Sequence, residues 1–570
     1  MEFQVFASSE TSNNGEKKVL DKLKKLYENK EGYLYSNIRI KKYKEEKEPD
    51  FILIDPLNGI AVIEVKSWSL SYIATINQHT VTTSEQQTLP NPIIQANTYF
   101  NLLKDILPNA NSHQLSSRLF FPNMPQDDEI QEYFQQVPSK VFYKDDISNL
   151  TITSLFMGRS NPMSTKDVNT IRARLYPETK IQKKLPFFDN KTSIDEDIKT
   201  ISKDQERIMN LPFNGYYLLS GVPGSGKTIV IVGRAIKYLR FNPEWSVIVI
   251  TYTNALVNTI KKALADKKQE LEQQNINIDR IRVSTFHSFA YARTKNISDD
   301  YYENGIPEDI MQRVSPRYDA ICIDEYQDFH SDWIKFCIKA IKPKDNNKGK
   351  EVVNLFLAGD KLQSIYARPE ISWKHETGLN ISGRSHFLKI SYRASHNLLK
   401  MGLQVLESNS SLKKEVLKFY EDRDTIEGHY ESKDDSLFAF TYKDVADCIG
   451  KLLSSGFLPG DILVIANQWW QAEKFHKEIL HIDSHLAQNK QLDNNKVNII
   501  TYHSAKGIEN KIAVLLDVDL IDDRKILYVG ITRASQKVIL HANDFKQGFA
   551  SDIYEFVKNK ISLIPNVQRP

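Results

Sequence analysis

The rhythm of apolar positions changes partway along this chain, and the change divides it. Early on, Val19, Leu20, Leu23 and Leu26 recur at helical spacing among lysines, which predicts an amphipathic helix over residues 16–27. Two apolar runs, Asp50-Phe-Ile-Leu-Ile54 and Ile60-Ala-Val-Ile-Glu-Val65, then flank a turn at 56–59. Their β-branched content and the turn chemistry predict a hairpin. The charge run 41–48 before it reads as a solvated loop. The Asn91-Pro92 break predicts a helix from 92 to 107. Residues 108–185 are mixed and support little beyond a strand near 119–121.

A polar, acidic stretch at 189–197, just after Pro186, reads as a linker. Beyond it, short apolar strands alternate with helical patterns, which predicts a mostly parallel sheet. One set of strands falls at 216–220, 247–250, 281–284, 320–323, 354–357 and 388–391. A second falls at 437–440, 462–465, 497–500, 512–516 and 538–540. The expected divisions are an N-terminal domain over 1–185, a linker over 186–200, and two α/β lobes over 201–385 and 386–570.

Composition acts mainly by exclusion. A chain of 570 residues, 41% hydrophobic and 26% charged, is long enough for several globular domains. No run approaches the roughly 18 apolar residues of a membrane span. The first residues lack the basic region and apolar core of a signal peptide. No membrane partner is expected, and the cytoplasm is the expected location. Cys322, Cys337 and Cys448 form no CxxC pair and read as buried small hydrophobes, too few for a four-cysteine iron–sulfur cluster. A net charge of +3 does not argue for nucleic acid, so a local groove would have to supply any such grip.

The chemistry centres on Gly221-Val-Pro-Gly-Ser-Gly-Lys-Thr228, which fits GxxxxGK[ST] between a predicted strand and a predicted helix. Gly221, Gly224 and Gly226, with Ser225, let the backbone turn its N–H groups onto phosphates at a helix N-terminus. Lys227 would reach the β- and γ-phosphates and Thr228 would ligate Mg²⁺, so a nucleoside triphosphate is the implied ligand. Ile321-Cys-Ile-Asp-Glu-Tyr-Gln-Asp328 is an apolar strand ending in acids. There Asp324 is placed as a Mg²⁺ carboxylate, and Glu325 to orient or deprotonate the attacking water. Gln363 follows as a neutral group suited to sensing a γ-phosphate.

With these motifs, residues 200–545 resemble a superfamily 1 helicase of the UvrD/Rep type. Gln205 matches that family's adenine-reading glutamine. Thr251-Tyr-Thr-Asn254 and Ser284-Thr-Phe-His-Ser-Phe289 match its first-lobe motifs for single-stranded DNA. Ser391-Tyr-Arg393 matches the segment whose tyrosine, here Tyr392, stacks on adenine and whose arginine, here Arg393, touches the γ-phosphate. Thr501-Tyr-His-Ser-Ala-Lys-Gly-Ile-Glu509 matches the second lobe's DNA contacts, with Glu509 on the ribose. Leu527-Tyr-Val-Gly-Ile-Thr-Arg-Ala534 ends on the arginine finger, Arg533. Three departures stand out. Arg368, followed by Pro369, occupies the position of a base-stacking aromatic, and the insertions after Thr253 and after Arg393 are short.

Pro49-Asp50 with Glu64-Val-Lys66 spells PD…(D/E)xK across the predicted hairpin. Strand alternation puts Glu64 and Lys66 on one face with Val65 turned to the core. In that pattern Asp50 and Glu64 hold a divalent metal and Lys66 orients or activates the attacking water. Taken alone, Glu-Val-Lys also fits charged edge residues. Glu16 on the first helix offers a further metal carboxylate, and Gln95 with Tyr99, one turn apart, resembles the Gln-x-x-x-Tyr element of RecB-type nucleases. Residues 10–105 resemble the nuclease-related (NERD) domain of the PD-(D/E)xK superfamily.

The fold class expected is α/β: an N-terminal PD-(D/E)xK nuclease-like domain followed by two RecA-like P-loop lobes with reduced accessory insertions. The resemblances imply an ATP-dependent DNA nuclease–helicase with ATP and Mg²⁺ as cofactors and Mn²⁺ as an alternative at the nuclease site. Its partner would be single-stranded nucleic acid, DNA favoured, gripped by Tyr252, Phe286, His287 and His503. Defence against phage or plasmid DNA and repair both fit these parts. Two other readings stay open: an ATP-dependent nucleic-acid sensor or repair translocase whose N-terminal domain only binds, and a subunit that recruits a separate effector.

Overall fold

The computed structural model describes residues 3–6, 14–36, 38, 40–42, 45–107, 115–135, 139–156, 160, 162–177, 180–181, 199–213, 215–294, 305–345, 351–364, 371–392, 394–419, 427–428, 436–480, 487–489, 493, 495–506, 508, 510–548 and 550–551. The linker expected at 186–200 lies outside these residues up to 198.

In the N-terminal domain, β1 (Phe3–Phe6) is followed by α1 (Asn14–Leu26) and β2 (Gly32–Tyr35). Helix α1 forms as predicted, with Val19, Leu20 and Leu23 buried and Lys17, Lys18, Lys24 and Lys25 exposed. The charge run at 41–48 is not the expected loop. There β3 (Ile40–Lys42) and β4 (Glu45–Lys47) pair antiparallel, with Lys41 opposite Glu46 and Lys42 opposite Glu45. A run of charges carries no apolar period, so its pattern gives no strand signal even where the backbone pairs.

The predicted hairpin is present as β5 (Phe51–Asp55) and β6 (Gly59–Val65). Its turn is set by Asp55, whose Oδ1 accepts from the N–H groups of Leu57 (2.9 Å) and Asn58 (3.0 Å), and by Gly59 at φ 116°. A small antiparallel sheet follows: β7 (Ile73–Ile76), β8 (Thr80–Thr83) and β9 (Thr88–Pro90). Next come α2 (Pro92–Ile106), capped by Asn91, then β10 (Leu115–Phe120), β11 (Ser139–Phe142) and α3 (Thr165–Leu175). The main sheet has the order β1-β2-β5-β6-β10-β11. Its hairpin strands are buried on both faces. Phe51, Leu53, Ala61 and Ile63 pack with α1, while Ile52, Ile54, Ile60 and Val62 pack with Tyr99 and Leu103 of α2.

The first lobe opens with α4 (Lys203–Met209), β12 (Tyr216–Gly221) and α5 (Lys227–Phe241). Its remaining strands are β13 (Val247–Thr251), β14 (Ile281–Thr285), β15 (Ala320–Asp324), β16 (Leu355–Gly359) and β17 (Ser385–Leu388). All pair parallel in the order β14-β13-β15-β16-β12-β17. The strand expected at 388–391 is displaced: β17 ends at Leu388, and Ile390–Ser391 pairs instead with Glu427–Gly428. Between β13 and β14 stand the helices Asn254–Ala265 and Lys268–Glu272 and the short turn Ile278–Arg280, in keeping with a trimmed insertion.

The second lobe repeats the plan with β18 (Ser436–Ala439), β19 (Ile462–Ala466), β20 (Ala487–Asn489), β21 (Val497–Thr501), β22 (Asn510–Leu515) and β23 (Ala534–His541). They form a parallel sheet in the order β18-β23-β22-β19-β21-β20. The three cysteines are buried, and among the described residues no helix is long and apolar enough to cross a membrane.

One apolar cluster runs without a break from Ile52, Ile54 and Tyr99 through Ile171 and Tyr176 to Ile208, Leu219 and Ile236. The N-terminal domain and the first lobe therefore share a core. Polar ties flank it: Lys267 Nζ donates to Pro177 O (2.7 Å), Gln274 Nε2 to Arg174 O (3.1 Å), and the Arg240 guanidinium lies 4.4 Å from the Tyr176 ring centre.

Candidate active sites

The phosphate loop joins the end of β12 to the start of α5. Gly224 and Gly226 lie at φ 74° and 83°, conformations that side chains disfavour. A Cβ at Gly226 would also collide with Gln205 Nε2. Gln205 is buried, its Nε2 donates to Ser225 O (2.7 Å), and its Oε1 accepts from Ser202 N–H (2.8 Å). The residue expected to read adenine therefore also braces the loop. Lys227 Nζ donates to Gly221 O (2.9 Å) and Val222 O (3.1 Å), which holds its charge over the cradle.

The predicted acidic strand is β15, and its end meets the loop. Thr228 Oγ1 donates to Asp324 Oδ2 at 2.7 Å. Burial, reinforced by Glu325, pushes the Asp324 carboxyl up to about 7. Burial alone would raise Glu325 too, but Lys506, Lys227, Gln327 and Arg533 outweigh it and hold that carboxyl low. One acid kept low beside one pushed high is the charge pattern expected where a cation binds and a water is activated. Gln327 ties the group together: its Nε2 donates to Glu325, and its Oε1 accepts from Asp360 N–H (3.1 Å).

The second lobe reaches this site. Arg533 Nη2 donates to Gln363 Oε1 (3.1 Å) and its Nε to Val529 O (3.0 Å). Lys506, which sequence reasoning left without a role, donates to Asp328 Oδ1 (2.6 Å) and Gln363 O (2.8 Å), fully buried between the lobes. Its signal was available: a lysine inside a second-lobe motif, with an acid-rich first-lobe motif to face. Ser391 Oγ donates to Pro223 O (2.7 Å) and Tyr392 N–H to Gly224 O (3.0 Å), so the predicted adenine segment is fastened to the phosphate loop. Arg393, Glu509, Arg368 and Pro369 lie outside the described residues.

The strand-gripping set needs one correction. Phe286 is fully buried, stacked 4.4 Å from Trp333 at 8°, with Phe329 and Phe336 against its edge. An apolar ring at the end of β14 gains more from the core than from solvent, so it supports the surface and does not form it. Tyr252 and His287 are half-buried beside the same Trp333, and His503 is exposed.

In the N-terminal domain, the hairpin and α1 bring Asp50, Glu64, Lys66 and Glu16 into one neighbourhood. Asp50 Oδ2 accepts from Val65 N–H (2.6 Å), and Lys66 Nζ pairs with Glu64 Oε1 (2.6 Å), which puts Glu64 and Lys66 on one face as alternation requires. Burial, then Glu64, pushes the Asp50 carboxyl up to about 8, with Glu16 adding to it, and burial raises Glu64 as well. A cleft of ≈ 370 Å³ opens here, walled by Glu16, Asp50, Lys66, Ser67, Trp68 and Tyr72, while Glu64, at 3% exposure, is buried and not part of its wall. Gln95 donates to Tyr99 Oη (2.5 Å), whose own proton reaches Glu48 O (3.3 Å). These residues fit a divalent cation in kind. Glu64 Oε2 is buried and unsatisfied, and two carboxylates this close repel unless a proton or a cation lies between them. Among the described residues no three acidic, histidine or cysteine side chains close into a ready cage.

The family model of the nuclease-related domain matches residues 11–122, and that of the UvrD/REP helicase N-terminal domain matches 201–304 and 293–369. A search of curated proteins found no match. Among solved structures, the crystal structure of Arterivirus nonstructural protein 10 (helicase) is similar at 13% identity and a TM-score of 0.32. That match covers 62% of this chain and 66% of the viral one, just under two thirds of its length.

Proposed function

Given a nuclease-related domain joined to a UvrD/REP-type helicase domain, we propose that this chain is an ATP-driven DNA motor that also cuts phosphodiesters. The observation that carries this reading is the presence of two separate acid pairs, each of which could hold a cation. Asp324 and Glu325 stand beside a phosphate loop, and Asp50 and Glu64 stand beside Lys66 in another domain.

In the motor, Thr228 and Asp324 would hold Mg²⁺, which draws charge from the phosphates when bound. Lys227 fixes the β/γ end, Glu325 takes the proton of the attacking water, and Gln363 reports the γ-phosphate to Arg533 across the lobes. Because Arg533 and Lys506 belong to the second lobe, lobe closure completes the charge balance, and reopening advances a single strand of DNA. At the other site Asp50 and Glu64, with Glu16 near, would hold Mg²⁺ or Mn²⁺, which acts there as a Lewis acid on the attacked phosphate. Lys66, already on the face of Glu64, orients the attacking water or the phosphate. Such a pair of activities suits defence against phage or plasmid DNA in the cytoplasm, and plating efficiency on cells with and without the gene tests that setting.

The second reading, a motor whose N-terminal domain binds without cutting, draws on Glu64 being buried away from the cleft wall and paired with Lys66. One experiment separates the two. Purified chain is incubated with linear and circular DNA, with Mg²⁺, Mn²⁺ or EDTA, and with or without ATP. Metal-dependent cutting that Asp50→Ala abolishes supports the nuclease. An active ATPase that never cuts supports the binder, and cutting that survives Asp50→Ala puts the nuclease elsewhere.

A further inference from the structure

Trp68 and Tyr72 stand on the wall of the N-terminal cleft that no predicted motif covers. Both are half-buried, and their rings lie 5.5 Å apart, inclined at 42°. They line the same cleft as Glu16, Asp50 and Lys66. We propose that this pair is a stacking platform that holds one unstacked base next to the phosphate presented to Asp50 and Lys66, so that the cleft takes single-stranded nucleic acid. For the phosphate the inference rests on the nuclease reading above; for the base it rests on this geometry.

Three observations carry it. The cleft, at ≈ 370 Å³, sits at the small end of ligand-sized cavities, with room for roughly one nucleotide. A duplex hides its base faces within its own stack, so only an unstacked base can meet an aromatic wall. Second, the rings are held in place. Trp68 packs 6.2 Å from Phe121, Ser67 Oγ accepts from Gly15 N–H (3.1 Å), and Asn123 Nδ2 donates to Ser67 O (3.0 Å). Tyr72 is fixed through its backbone, its N–H donating to Ser69 O (3.1 Å) and its carbonyl accepting from Ser84 N–H (2.8 Å). A platform already ordered loses little entropy when a base arrives. Third, β6 ends at Val65 and Lys66 opens the segment that carries both rings, so the rings are tied by a few residues of chain to the group that meets the phosphate. Every base has a π-face, so the platform selects strandedness without selecting sequence.

The test uses the full chain in two arms. In EDTA, a single-stranded oligonucleotide carrying 5-iododeoxyuridine is photocrosslinked and the adducts are mapped. Adducts on Trp68 or Tyr72 are expected, and adducts confined to the motor lobes overturn the proposal. With Mn²⁺, removing the base at the platform position with an abasic site should slow wild-type cleavage by roughly 5- to 150-fold. Trp68→Ala should lose a similar factor on the intact oligonucleotide yet become indifferent to the abasic site, while Trp68→Phe keeps most activity. A circular dichroism spectrum and a cooperative melt matching wild type confirm that Trp68→Ala is folded. Equal cleavage of intact and abasic strands by wild type overturns the platform. Crosslinks at Trp68 in a chain that never cuts would keep the platform and remove the nuclease reading instead.

Discussion

Glu325 sits at φ 58° at the end of β15, a left-handed backbone that a glutamate enters only at a cost of about 1 kcal/mol. The surroundings hold it there: Gln327 grips its carboxylate, while Lys506 and Lys227 keep it charged. With Glu325 proposed as the base and Lys227 as the phosphate anchor, the two should separate on mutation. Glu325→Gln should bind ATP as wild type does and lose hydrolysis by 10²-fold or more, on the order expected of a general base. Lys227→Ala should lose nucleotide affinity itself. Equilibrium binding of a fluorescent ATP analogue with single-turnover hydrolysis checks both, and equal affinity losses would contradict the assignment.

A second residue-scale network lies at the carboxyl ends of β18, β22 and β23. Tyr442 Oη donates to Asp517 Oδ2 (2.6 Å), and His541 Nδ1 lies 3.2 Å from Asp517 Oδ1. Burial would raise Asp517, but the adjacent His541, whose Nδ1 accepts from the Asp517 N–H (3.1 Å), and the Tyr442 hydroxyl hold it below its ordinary range. A carboxyl lowered by folding stabilises the fold above its unfolded value, about pH 4, and that contribution is lost as pH falls through the lower folded value. Tyr442→Phe should therefore cost about 1–2 kcal/mol at pH 7 and less in acid. Urea midpoints of both proteins at pH 7 and in acid below pH 4 decide it, and a gap that ignores pH would mean that the hydroxyl contributes through packing alone.

Elements explain why so much of the molecule was legible. The β5–β6 hairpin, α1 and α2 announce themselves through local period and turn chemistry, and the parallel strands through short apolar runs. What local pattern could not reveal depends on partners distant in sequence. The β3–β4 ladder lies in a run with no apolar period, and β17 pairs with β12 as far as Leu388, opposite Gly221. Phe286 reads as a surface aromatic until Trp333 covers it. The phosphate loop is the sharpest case of element-level constraint, since Gly226 must be left-handed and must also leave room for Gln205. Gly226→Ala should displace Gln205 from Ser225 and tilt the start of α5, lowering ATP affinity at least tenfold with the rest of the fold intact. Isothermal titration with an ATP analogue beside a circular dichroism spectrum checks this, and wild-type affinity would show that the loop tolerates a Cβ.

At the scale of the whole molecule, the two proposed sites are joined by a short buried path. Arg172 on α3 donates Nε to Tyr35 Oη (2.9 Å) on β2, lies 4.0 Å from the Tyr33 ring centre, and forms a buried ion pair with Glu206 on α4. Strand β2 pairs with β5, which begins directly after Asp50. Helix α4 carries Gln205, which braces the phosphate loop at Ser225. A change at the phosphate loop that moves Gln205 therefore moves the neighbour of Glu206, and through Arg172 the sheet that presents Asp50. Removing one partner alone would strand a buried charge, costing about 3–5 kcal/mol, so Arg172→Met by itself reports stability more than coupling. The double variant Arg172→Met with Glu206→Leu removes both charges, and an apolar pair of similar volume is often close to neutral. If ATP changes the cutting rate, we expect the double variant to melt near wild type, to hydrolyse ATP and to cut DNA, yet to lose most of that change. Thermal melts, ATPase and cleavage with and without ATP on the same preparations check it. If the double variant is folded and its cutting still responds fully to ATP, the signal travels through the shared apolar core or through the DNA, and the Arg172–Glu206 pair serves only to weld the domains together.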